Sequence, residues 1–140
     1  MTSRTGPGRL IFAGLALIAA VALVAAGGQE QVDEDKQVAD GEPDVVLELT
    51  AEGREFYIAG EDEENPDLTV AQGDVVQVKL EITGGFHDWV VDVFDVANEQ
   101  MSAGNTDTIQ FVADESGEFE YYCSVGTHRQ EGMYGTLIVE

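Results

Sequence analysis

The chain has 140 residues, with 6 Lys and Arg against 28 Asp and Glu, and a formal net charge of −22 at pH 7. That length suits one modest domain, and so anionic a chain would repel phosphates, which excludes a nucleic-acid binder. The single cysteine excludes an internal disulfide, so the fold must stand on its own packing or on a metal.

The first 28 residues contain Arg4 and Arg9 and no acid; everything after them holds all the acids against four bases, Lys36, Arg54, Lys79 and Arg129. An acidic, lysine-poor surface keeps a protein soluble through self-repulsion that salt must screen, which points to a salt-loving source. After the two arginines comes an unbroken apolar run from Leu10 to Ala26. As a helix it would span about 25 Å, a little short of a hydrocarbon core of about 30 Å and longer than an ordinary signal core. Val24-Ala25-Ala26 offers small residues for cleavage, so residues 1–28 read either as a removed signal peptide or as an N-terminal membrane anchor through residues 10–26. In both cases the arginines stay inside and the acidic part is exported, to lie outside the cytoplasmic membrane as a secreted, periplasmic or membrane-anchored domain.

Residues 29–43, QEQVDEDKQVADGEP, are polar and charged without hydrophobic period, and read as a disordered acidic linker. From residue 44 the pattern changes. Short alternating segments run over 45–51, 55–59, 68–70, 75–83, 89–94, 108–113, 118–123 and 136–140, separated by turn pairs such as Gly73-Asp74, Gly84-Gly85 and Ser116-Gly117. Seven or eight short strands with no intervening helical period predict an all-β domain over 44–140, an antiparallel Greek-key β-sandwich that acts as a monomer. The acidic run Glu61 to Glu64 lacks calcium-loop spacing and reads as a solvated face, and Trp89 reads as core.

The chemistry gathers near the C-terminus, in YYCSVGTHRQEGMYG. Cys123 ends a strand, His128 follows five residues later, and Met133 five after that, just before the final strand. Singly, a strand-end cysteine is a common small hydrophobe, a loop histidine a common surface residue and a methionine a common gap filler. Together they could fold round one point at one end of a sandwich. His87, the other histidine, enters a different strand just after the Gly84-Gly85 turn and can supply a fourth ligand. Two imidazoles, one thiolate and a distant thioether are the donors of a blue-copper site: the sulfur ligands suit Cu(I), the imidazoles suit Cu(II), and neither state is strongly preferred. Zinc is the chemical rival, but methionine is a poor fourth ligand for it.

The segments GEFEYYCSVGTHRQEGMYGTLIVE, LTVAQGDVVQVKLEI, GGFHDW and AGNTDTIQFVADESGEFEYYC resemble the cupredoxins, the family that includes plastocyanin, azurin, rusticyanin and the halocyanins. The resemblance implies one copper ion cycling between Cu(I) and Cu(II), with His87, Cys123 and His128 as equatorial ligands and Met133 as the axial one. The Cys-x4-His-x4-Met spacing is most similar to that of rusticyanin. The position after the first histidine is often Asn or Ser in these proteins, where it ties the two ligand loops together. Here it is Asp88, a carboxylate without the amide's donor, so either the tie is made differently or its charge alters the site.

What the resemblance implies is a one-electron carrier rather than an enzyme, exchanging electrons through the His128 edge inside a collar of Gly85, Phe86, Gly132, Met133 and Tyr134. Its partners would be redox proteins such as a membrane oxidase or a haem protein. Copper storage, delivery or oxidase assembly is the alternative. A binuclear copper centre would need a second cysteine in the loop, and the copper enzymes of this superfamily need further histidines; the chain has neither.

Overall fold

The computed structural model describes residues 39–140, and the apolar run and most of the acidic linker lie outside the described residues. Eleven strands follow one another: β1 Val45–Glu52, β2 Glu55–Ile58, β3 Leu68–Val70, β4 Val75–Ile82, β5 Phe86–His87, β6 Val90–Val91, β7 Val96–Ala97, β8 Met101–Ser102, β9 Thr106–Val112, β10 Gly117–Tyr122 and β11 Tyr134–Val139. One sheet has the order β2-β1-β4-β9, a second the order β3-β11-β10-β6-β7, and β5 and β8 form a separate two-stranded ribbon. The chain passes from the first sheet to the second at β3 and back at β4, the crossing habit of a Greek-key sandwich.

The strands form where alternation lets one face close on the core. In β4, Val76, Val78, Leu80 and Ile82 are fully buried while Lys79 and Glu81 face water. Leu49 and Ala51 do the same in β1, and Leu137 and Val139 in β11.

The sheets are mixed rather than antiparallel. β1 runs parallel to β4, from Val45 opposite Val76 to Ala51 opposite Ile82, and β3 runs parallel to β11. Alternation fixes which face of a strand is buried but says nothing of its direction, and a parallel neighbour needs only a long enough connection. The segment expected as a strand over 89–94 is also divided. After β6 the chain turns through a 3-10 helix at Asp92–Phe94, with Asp95 in the left-handed region (φ 49°) and its N–H bonded to the Asp92 carbonyl at 3.0 Å. This turn carries Phe94 into the core, where it stacks on Phe111 with ring centroids 5.2 Å apart and meets Phe119 edge-on at 5.5 Å. Gaining that contact outweighs continuing the strand.

The end of the linker is engaged with the sandwich. The Ala39 N–H donates to the Gln110 carbonyl, and Gln110 Nε2 donates back to the carbonyls of Ala39 and Gly41 at 3.0 and 2.9 Å. Asp44 caps the start of β4 by accepting the Val75 N–H at 2.8 Å. The run Glu61 to Glu64 is exposed, as its composition suggests. Among the described residues no helix is long and apolar enough to cross a membrane.

Tyr121 fixes how β10 and β11 meet. Its ring is fully buried, lies 5.8 Å from the Trp89 ring and 5.5 Å from the Phe56 ring, and its hydroxyl donates to the Pro66 carbonyl at 2.6 Å. Burial pushes the phenol above its ordinary range, so it stays a neutral donor. Directly across on β11 is Gly135, where any Cβ would fall on the Tyr121 ring and hydroxyl. A Gly135→Ala variant is expected to lose about 1–3 kcal/mol by overpacking, read as a lower midpoint of chemical unfolding; an unchanged midpoint would show that the pair is not a constraint.

Candidate metal centre

The site lies where three pieces of chain meet. His87 ends β5, opposite Met101 of β8, and is fully buried. It is admitted by the turn before it: Gly85 has φ +83°, and a Cβ there would come within 2.7 Å of His87 Nε2. Cys123 follows β10 and is buried at 1 % exposure, and His128 is half-buried in the loop beyond.

That loop folds back on itself through backbone bonds. The His128 N–H donates to the Val125 carbonyl, the Met133 N–H to the His128 carbonyl, and the Cys123 N–H to the Met133 carbonyl, all at 3.0–3.1 Å. Met133 is thus held beside Cys123 through the backbone, with its side chain fully buried. The outer loop is secured by Arg54 of the β1–β2 turn, by Asn65 between β2 and β3, and by its own Thr127. Arg54 Nε donates to Glu131 Oε2 at 3.1 Å, Thr127 Oγ1 donates to the same oxygen, and Asn65 Nδ2 donates to the Gly132 carbonyl at 3.3 Å.

His87 Nδ1 and His128 Nδ1 are 3.2 Å apart, and the Cys123 sulfur lies 3.8 and 3.4 Å from them. The centre of a triangle with these edges is about 2 Å from each corner, in the range of first-row metal bonds to imidazole and thiolate. The donors suit a soft or borderline ion, and no carboxylate belongs to the converging group. The residues therefore fit a single metal of the copper or zinc kind.

The protonation states point the same way. Burial lowers the pKa of His87, and the facing His128 ring adds to this, so the neutral, ligating imidazole is favoured. Burial also pushes the Cys123 thiol up, opposed by the backbone N–H groups of Asp88 and Val125 aimed at its sulfur. A metal at this point removes the desolvation problem by replacing the proton with a bound cation.

Asp88 supplies the tie that the departure from Asn leaves open. The Ser124 N–H donates to Asp88 Oδ1 at 2.7 Å and the Ser124 hydroxyl donates to Oδ2, while Gln100 Nε2 reaches Asp88 Oδ2 at 3.5 Å and Ser124 Oγ at 3.2 Å. Asp88 is only 3 % exposed, so these bonds are what make its burial tolerable. The carboxylate joins the His87 strand to the residue after Cys123 purely as an acceptor. Ser124 and Gln100 escaped the sequence analysis: Ser124 could have been suspected as the immediate neighbour of Cys123, whereas Gln100 carries no local signal. Removing the tie in Asp88→Ala leaves the Ser124 N–H unpaired. The expected results are copper affinity weakened about 10–100-fold, by competition with a chelator, and about 1–3 kcal/mol of lost stability. Undiminished affinity would show that the donors converge without it.

No curated protein matches this sequence. Residues 59–140 match the family described as copper binding proteins, plastocyanin/azurin family. Among solved structures, auracyanin B is similar with a TM-score of 0.62 at 20 % identity, over 74 % of this chain and 94 % of that one. Dithionite-reduced auracyanin from Roseiflexus castenholzii gives 0.57 at 20 % identity, over 71 % and 99 %. Auracyanin A from Chloroflexus aurantiacus, described as a "blue" copper protein, gives 0.55 at 18 % identity, over 69 % and 98 %. At such identities the likeness shows a shared fold, and the family match together with the donor triangle decides between the metals. The chain belongs to the plastocyanin/azurin family of copper-binding proteins, a cupredoxin whose site takes a single copper ion.

Proposed function

We propose that the protein carries single electrons between redox partners outside the cytoplasmic membrane, with His87, Cys123 and His128 as the equatorial copper ligands and Met133 as the axial one. The observation that carries this reading is the convergence of His87, at the end of β5, with Cys123 and His128 of a loop fastened at both ends, so that the three donors are held together by the fold. Copper bound there supplies a one-electron couple.

The chain's own residues do the rest. His87, Cys123 and Met133 are buried and keep water from the donors, and the Asp88–Ser124 bonds stop the two ligand-bearing segments from parting. Little rearrangement is then needed when the charge of the site changes. His128 is the ligand that reaches the surface, which makes its edge the point of electron entry and exit. Phe86 at 45 % and Tyr134 at 50 % exposure are the sequence neighbours of His87 and Met133. Met133, expected in the apolar collar, is instead fully buried, so the collar is left to Phe86, Tyr134, the exposed Gly85 and the half-buried Gly132. Such a contact suits transient docking to a haem protein or a terminal oxidase. Export rests on the character of residues 1–28. Copper delivery is disfavoured because enclosed, soft-liganded donors exchange metal slowly.

Two results test this reading. Protein-film voltammetry should give a reversible one-electron wave with copper retained over many cycles; copper loss on reduction would support a delivery role instead. A Met133→Gln variant, in which a hard oxygen donor replaces the thioether, should favour Cu(II) and lower the potential by at least about 59 mV, a tenfold change for one electron. An unchanged potential would show that Met133 is not a ligand.

A further inference from the structure

Three cationic side chains occur among the described residues, and two of them meet the metal loop. Arg54 pairs with Glu131 of the loop, and Arg129 follows His128 directly. Lys79, the third, lies on β4 at 3.9 Å from Glu48 Oε1. In a chain of net charge −22, the two guanidinium groups among the described residues both lie at this loop, where they face Glu131 and Glu120.

Arg129 is a fork held still. Its Nε donates to Glu120 Oε1 at 2.6 Å, and the guanidinium carbon lies 3.9 Å from the centre of the Tyr122 ring. Tyr122 is fixed in turn by its hydroxyl, which donates to Asp92 Oδ1 at 2.7 Å. A guanidinium has five N–H donors, and among the described residues the Arg129 group has a hydrogen-bond partner only at Nε. The side chain is 44 % exposed, and an ion pair so exposed contributes little to stability. What the arrangement does provide is a pair of NH2 groups in a fixed orientation, one residue from His128. Such a planar fork pairs bidentately with carboxylates and phosphates, and of these the carboxylate is the one a protein partner carries on its unmodified side chains.

We propose that Arg129 anchors a surface carboxylate of an acidic redox protein and thereby sets which edge of that partner faces His128. This inference rests on the electron-carrier reading. A basic partner would be drawn to any side of so anionic a chain, whereas a partner's carboxylate distinguishes this loop from the remaining surface, which is a gain in orientation rather than in bulk attraction. The exposed rings of Phe86 and Tyr134 beside the ligands call for a partner of protein size, since a free anion would use the fork alone.

The test is stopped-flow electron transfer from the reduced, copper-loaded full chain to an acidic c-type cytochrome and to a basic one of similar potential, at low and at high salt. Arg129→Gln should slow the reaction with the acidic cytochrome about fivefold, an effect that shrinks as salt is raised, while the rate with the basic cytochrome does not fall. Its visible spectrum and midpoint potential should match those of the unmodified protein, which a residue acting by positioning His128 would not allow. Arg129→Lys should restore only part of the lost rate, and Lys79→Gln should leave the acidic cytochrome's rate unaltered. Equal rates for Arg129→Gln and the unmodified protein would overturn the proposal, as would an equal loss in Lys79→Gln or a shifted copper spectrum. Absence of transfer to both cytochromes from the unmodified protein would instead remove the electron-carrier reading on which it rests.

Discussion

A buried carboxylate with nowhere to go but the neighbouring loop is the constraint on which the site depends. Asp88 stands next to His87 at 3 % exposure, and its two oxygens are satisfied by the N–H and hydroxyl of Ser124, the residue after Cys123. Leaving that charge unpaired in the interior would be severe. The strand that carries His87 and the segment that follows β10 are therefore obliged to arrive together, and their donor atoms arrive with them.

The sandwich makes this obligation easy to meet. β10 and β11 pair antiparallel from Gly117 opposite Val139 to Tyr122 opposite Tyr134, so the ends of the metal loop start side by side. Tyr121 and Gly135 interlock just below, and the Tyr121 hydroxyl reaches across to Pro66. Above that layer the loop is closed by the bond from the Cys123 N–H to the Met133 carbonyl, and its outer turn is held by Arg54 and Asn65 from the β1–β2 side of the molecule. Packing below and hydrogen bonds above thus act on one short segment. The chemistry of the site is inherited from a geometry the protein imposes, and an imposed geometry is what the proposed one-electron role requires.

Much of this was legible in the amino-acid sequence, for reasons that differ from element to element. The β character of Val75–Ile82 follows from strict alternation, which has one physical meaning when four alternate residues must be buried. Cys123, His128 and His87 could be named because cysteine and histidine are rare in this chain, with Cys123 and His87 at strand ends and His128 in the loop between Cys123 and Met133. Strand direction was not legible: β1 beside β4 and β3 beside β11 are parallel because of crossings between sheets, and no local pattern encodes a crossing. The 3-10 turn at Asp92–Phe94 was missed because Phe94 is drawn inward by Phe111 and Phe119, both distant in sequence. Asp88 could be seen to depart from Asn, but its answer lay in Ser124 and Gln100, and a partner across a loop has no signature in the residues that precede it.

In this reading the donor triangle belongs to the fold rather than to the ion. The most direct measurement is a pair of crystal structures, metal-free and copper-loaded, compared at the three donor atoms. If the fold imposes the site, His87 Nδ1, His128 Nδ1 and the Cys123 sulfur will keep their mutual distances to within about 0.5 Å, with the Asp88–Ser124 bonds intact in both. A metal-free structure in which His128 swings into solvent and the loop from Cys123 to Met133 opens would contradict the account and assign the geometry to copper.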